Sequence, residues 1–194
     1  GEQGPQLYVA REGMRFTPPA PPPFITQNSN WLSDFLDELK QYHEENAILD
    51  RILAKTREIT GADAGTVFLA EGDELVFAYT HNDSLFTADS AYRYAYTTLR
   101  IPISKQSIAG YTADTGTALN LLDVYNLPAD VPYHFNSNFD KSTGYRTQSM
   151  LTLPFFDHAG KVTGVLQLIN SINPRTNCVC AFSPEMEKHV KTLA

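Results

Sequence analysis

Residues 135–155 read FNSNFDKSTGYRTQSMLTLPF. A polar, glycine-broken segment runs directly into an apolar, strand-like stretch. Asp140, Thr143 and Thr147 precede that strand at intervals of three and four, a spacing that sets them on one side of a helical turn. Side chains of this kind cap loops, a common job for Asp. They also supply acceptors and hydroxyls to a bound molecule. The residues alone leave both roles open.

Downstream, KVTGVLQLIN (161–170) alternates strictly and pairs with the first strand around a turn at Asp157–Gly160. Alternation puts Thr163, Val165, Gln167 and Ile169 on one face and Val162, Leu166 and Leu168 on the other. Gln167 is thus an amide in an apolar stripe of a central strand, and such an amide needs a partner from the protein or from a ligand. A final helix opens at Ser183-Pro184, with Ser as N-cap and Pro at the first helical position.

Upstream, SIAGYTADTG (107–116) reads as a short helix capped by Ser107 and stopped by Gly116. Its small first-turn residues leave backbone N–H groups open to an anion, unless Ser107 and water satisfy them. A brief strand is expected at Leu119–Leu122, followed by a loop to Asn138 that is long for a compact domain and so a functional-loop candidate. Before the helix lie GTVFLAEGDELVFAYTH (65–81), a hairpin around Glu71-Gly72-Asp73, an irregular section over 82–98 and a short strand in TTLRIPIS. From Trp31 to Thr60 the apolar residues follow helical spacing, which predicts a long amphipathic helix, broken near Glu45–Ala47 and ending at Gly61. Residues 1–30, with TPPAPPPF at 17–24, read as a proline-rich arm or linker, and 31–194 as one domain. Tight turns require antiparallel neighbours, so the order predicts an α+β fold: one antiparallel sheet, terminal helices on one face, the short helix and long loop on the other.

Composition narrows the function. The 22 acidic and 15 basic residues give a net charge of −7, without a basic cluster to neutralise a nucleic-acid backbone or an anionic membrane. Cys178 and Cys180 are too few and too close for a disulfide framework, no apolar run has membrane-spanning length, and the opening GEQGPQLYVAREG does not read as a signal peptide. A cytoplasmic domain is expected. The chain starts without Met and stops inside a helical pattern, so it reads as a piece of a larger protein. No phosphate-cradling glycine loop, paired-histidine zinc motif or nucleophile elbow occurs, and two thiols fall short of a structural zinc set. Neither an enzyme nor a metal site is expected.

Three stretches, SIAGYTADTGTALNLLDVY, FDKSTGYRTQSMLTLPF and GKVTGVLQLINS, resemble the GAF domain, in particular the regulatory GAF domains of cyclic-nucleotide phosphodiesterases and of bacterial signalling proteins. The resemblance covers about residues 45–194. It implies a six-stranded antiparallel sheet with a dimerising helical layer on one face, and on the other a ligand pocket under the short helix and a lid at 126–144. It implies a noncatalytic sensor of a small ligand such as cAMP or cGMP, acting as a homodimer through its terminal helices on a covalently linked output domain, an HD-type phosphohydrolase or another signalling domain. The alternative is a structural dimerisation module with a vestigial or self-filled pocket. By the same resemblance the ligand contacts are Thr66, Ile108, Ala109, Asn136, Asp140, Thr143, Thr147 and Gln167, with the Ile108 and Ala109 amides toward a cyclic phosphate. The chain departs from the pattern where an aromatic can stand (Asn136) and where a Glu can stand (Gln167). It departs again where nucleotide-binding members carry a Lys–Asp salt bridge, here Ser171 and Met186. Losing both partners together avoids stranding a buried charge.

Overall fold

The computed structural model describes residues 30–43, 45–85 and 99–193. The proline-rich stretch at 17–24 and most of the irregular section at 82–98 lie outside them. In place of one long helix there are two, α1 (Trp31–Leu39) and α2 (Glu45–Thr60). The break precedes the expected one, and Glu45 opens the second helix. Arg51 of α2 ties the two together: its guanidinium bonds Glu38 and lies 5.6 Å from the centre of the buried Phe35 ring. α2 stops at Gly61, whose φ of +63° suits glycine and turns the chain at once into β1 (Ala62–Glu71).

β1 and β2 (Glu74–Asn82) form the first hairpin, and β3 (Arg100–Pro102) lies on the outer edge of β2. Next come α3 (Ile108–Thr115), β4 (Leu119–Leu121), the loop from 122 and a short helix α4 (Asn138–Thr143). The second hairpin, β5 (Met150–Phe156) and β6 (Val162–Ile172), precedes a two-residue β7 (Val179–Cys180) and α5 (Pro184–Lys191). Six antiparallel strands run in the order β3-β2-β1-β6-β5-β4, and β7 pairs with the end of β6. β6 is central, paired with β1 on one side and β5 on the other, and Gly164, Val165, Leu166 and Leu168 in it are buried.

Each face of the sheet has its own core. On one, Val67, Leu151, Leu153, Leu166 and Leu168 pack against Leu53 and Ile59 of α2 and Met186 and Val190 of α5. On the other, Phe68, Leu75 and Val165 pack against Ala109 and Ala113 of α3, while Ile108 meets Val124, Tyr133 and Met150. The expected arrangement, terminal helices on one face of the sheet and the short helix and loop on the other, is therefore present. One facing differs. Phe155 pairs with Gly164 but Phe156 with Val162, so Thr163 is an extra residue in β6. This bulge turns Val162 to the α3 side, where it packs against that core instead of beside Leu166.

Where the resemblance implies an ion pair, Ser171 and Met186 meet instead. The Ser171 hydroxyl donates to the Thr60 carbonyl at 2.8 Å and lies 4.0 Å from Met186 Sδ. Both residues are fully buried, so this neutral contact ties α2, β6 and α5 together without desolvating a charge.

Candidate functional site

The register of four strands lines up polar residues that look unrelated in the sequence. Thr80 pairs with Thr66, Thr66 with Gln167, and Gln167 with Thr152. Directly paired residues share a face. Here it is the α3 face, because Phe68, Val165, Ile169 and Met150 two positions away pack there. The result is a hydroxyl–hydroxyl–amide–hydroxyl row crossing the centre of the sheet between two apolar clusters. Its internal bonds are long: 3.3 Å between the Thr66 and Thr80 hydroxyls and 3.4 Å from Gln167 Nε2 to Thr152 Oγ1. Such contacts leave donor and acceptor capacity for a third party.

α3 lies over this face. Ser107 caps it through Gly110 N–H at 3.0 Å, and Gly116 closes it with a left-handed φ of +66°, as the sequence predicts. The first-turn amides of Ile108 and Ala109 have no carbonyl of their own helix to bond. On the same side as Ile108, Ala109 and Ala113 sits Thr112. It is fully buried, and its hydroxyl has no hydrogen-bond partner among the described residues. A hydroxyl in that state costs roughly 1–3 kcal/mol unless a water or ligand meets it.

The lid is where sequence reasoning and structure part company. Asp140 and Thr143 lie in α4, but Thr147 lies beyond it, after a reversal at Gly144 with φ +73°. The reversal brings Thr147 back onto Asp140, which is 5% exposed. The carboxylate accepts the Thr147 amide and hydroxyl, both at 2.8 Å, and the Tyr125 hydroxyl at 2.7 Å. The bond to Asp140 also holds the Tyr125 phenol above its ordinary pKa. Thr143 donates to Phe139 O at 2.9 Å and accepts from Tyr145 N–H. Exposed Asn136 accepts from Asn138 N–H. Arg146 stacks 3.7 Å from the Tyr125 ring, and Tyr125 in turn meets Phe135 edge-on. The lid thus closes largely upon itself, around a cleft of about 370 Å³ lined by Tyr125, Tyr133, His134 and Phe135 among others. A parallel bridge between Ser107 and His134 lays this loop along the start of α3.

The eight expected residues accordingly fall into two groups. Thr66 and Gln167 lie on the sheet face that α3 covers, and Ile108 and Ala109 on the side of α3 packed against it, while Asn136, Asp140, Thr143 and Thr147 belong to the lid and its stem. Thr80, Thr112 and Thr152 were missed. Thr80 and Thr152 join the row only through strand register, and Thr112 faces the core only through the seating of α3.

The profile of the GAF domain family matches residues 44–194. The chain belongs to the GAF domain family. Among its relatives is the cGMP-specific 3′,5′-cyclic phosphodiesterase of Drosophila melanogaster, 30% identical over 135 residues. The match covers 66% of this chain and 11% of the phosphodiesterase, so the GAF chain spans about a tenth of that relative's length. In fold it is similar to the GAF domain of a phosphoenolpyruvate-protein phosphotransferase from Coxiella burnetii, with a TM-score of 0.61 at 18% identity, covering 84% of this chain and 85% of the other. It also resembles the free methionine-R-sulfoxide reductase of Neisseria meningitidis, with a TM-score of 0.55 at 19% identity, covering 84% of each chain. This GAF domain is a regulatory or sensory module. Among its described residues no helix is long and apolar enough to cross a membrane, and no group of three or more His, Cys, Asp or Glu side chains is placed to hold a metal ion.

Proposed function

We propose that this GAF domain is a noncatalytic sensor that binds a cyclic nucleotide, cGMP in the first instance, between α3 and the polar row. The observation that carries the reading is the row itself. Thr80, Thr66, Gln167 and Thr152 lie in line on the face covered by α3. The covering helix adds the buried Thr112 hydroxyl, which has no hydrogen-bond partner among the described residues. The Ile108 and Ala109 amides would receive the cyclic phosphate, aided by the helix dipole. The neutral Gln167 amide, donor and acceptor at once, would meet the base. Asn136, Asp140, Thr143 and Thr147 hold the lid. The relationship to a cGMP-specific phosphodiesterase supports this choice of ligand.

Against catalysis stands the position of the thiols. Cys178 is exposed, and buried Cys180 lies 3.7 Å from the Ser171 hydroxyl, which contacts Met186 of α5 in the helical layer opposite α3. Signalling would run through α1, α2 and α5 to a second copy and on to a linked output domain, an HD-type phosphohydrolase or another signalling domain, in the cytoplasm. One observation favours a second reading, a dimerisation module with a self-filled pocket: Asp140 already has three intramolecular donors.

Calorimetric titration with cGMP and cAMP separates the two. Saturable heat with cGMP, reduced in Gln167→Ala and Thr66→Val, supports the sensor. Silence at millimolar concentrations of both nucleotides in a folded dimer supports the module.

A further inference from the structure

We propose that Asp63 is the residue through which the state of the lid reaches α2, an inference that rests on the sensory reading above. Asp63 is the second residue of β1, separated from the end of α2 by only Gly61 and Ala62. Its two ends serve different elements. The carboxylate accepts the Tyr145 hydroxyl at 2.7 Å from the stem of the lid, and the Ser84 hydroxyl at 2.8 Å from the chain leaving β2. The backbone carbonyl accepts Arg57 Nη2 of α2 at 2.9 Å and Asp83 N–H at 3.1 Å. Arg57 also reaches the Ala62 carbonyl and pairs with Asp83. Lid stem, helix end and β2 exit therefore converge on one residue.

The lid side of this junction is firmly held. Asn170, in a left-handed conformation with φ +56°, donates from Nδ2 to the Tyr145 hydroxyl and to Arg146 O, and its Oδ1 accepts Gln148 N–H. Burial, and then the bond to Asp63, push the Tyr145 phenol far above its ordinary pKa, so it stays a donor. A movement of the stem that breaks the Tyr145–Asp63 bond releases a carboxylate beside the α2–β1 turn. Because Gly61 also bonds Ile172 N–H at 2.8 Å, the turn has few other ways to absorb the change, and the last turn of α2 loosens.

The test is hydrogen exchange on the whole chain, with and without saturating cGMP, in wild type, Tyr145→Phe and Tyr125→Phe. Tyr145→Phe keeps the ring and removes the lid's bond to Asp63 among the described residues, together with the Asn170 Nδ2 bond to the same hydroxyl, a donor that keeps Arg146 O. Tyr125→Phe loosens the lid at Asp140 without touching Asp63. Without ligand, exchange over residues 57–61 is expected to rise about tenfold in Tyr145→Phe and to stay unchanged in Tyr125→Phe. Unchanged exchange in Tyr145→Phe, or an equal rise in both variants, overturns the coupling. With cGMP, wild type should gain protection over both lid and residues 57–61, and Tyr145→Phe over the lid alone. Protection reaching residues 57–61 undiminished in Tyr145→Phe also overturns it. Absence of lid protection in wild type counts against cGMP as the ligand, and the ligand-free comparison then decides the coupling by itself.

Discussion

Replacing Asp140 by Ala asks what the lid carboxylate is for. The substitution strips acceptors from three donors: the Thr147 amide, the Thr147 hydroxyl and the Tyr125 hydroxyl. Tyr125 is exposed and can turn its hydroxyl to water, but Thr147 is 3% exposed and cannot. Each buried donor left without a partner costs roughly 1–3 kcal/mol, so two of them cost about 2–6 kcal/mol. The side chain of Ala leaves room for a water to recover part of this, which puts the expected loss near 3 kcal/mol. For a domain of this size that lowers Tm by about 6–12 °C. Asp140→Asn keeps one acceptor but turns an amide N–H₂ toward a donor, and should lose about half as much. Urea unfolding gives the stability, and limited proteolysis over residues 123–147 reads the lid. A loss below about 1 kcal/mol with an unchanged proteolysis pattern would refute the clamp. Lost nucleotide binding at full stability would make Asp140 a ligand contact instead.

Gly164→Ala should cost about 3 kcal/mol or prevent folding, because an added Cβ would stand 2.5 Å from the Phe68 carbonyl oxygen, which is backbone and cannot step aside; urea unfolding checks it, and near-wild-type stability would contradict the close packing of β6 on β1. Tyr145 makes stability depend on alkaline pH. Its folded pKa is raised, so its contribution is complete below the unfolded value of about 10 and is lost as pH rises beyond it. Unfolding measured between pH 8 and 11 should fall more steeply for wild type than for Tyr145→Phe, and parallel curves would contradict burial of the phenol.

The elements of this fold were legible because their signals are local. Ser107 and Gly116 bracket α3, Ser183 and Pro184 open α5, and Gly72 and Gly160 mark the hairpin turns, all at the expected places. The bulge at Thr163 was not legible, since strict alternation contains no sign of an inserted residue. The site was legible in halves. Gln167 stood out as an amide in an apolar stripe, but its neighbours Thr80 and Thr152 depend on pairing between distant strands. The spacing of Asp140, Thr143 and Thr147 foretold a cluster, yet its bonds arise from the reversal at Gly144 and from Tyr125, which helical spacing does not contain.

The most direct test of the account is an amide and side-chain NMR titration of the domain with cGMP. The account predicts shifts at Thr66, Thr80, Thr152 and the Gln167 side-chain amide, together with Ile108, Ala109 and the lid. No shifts at millimolar cGMP, or shifts confined to residues 124–137 or to the helices of the opposite face, would contradict it.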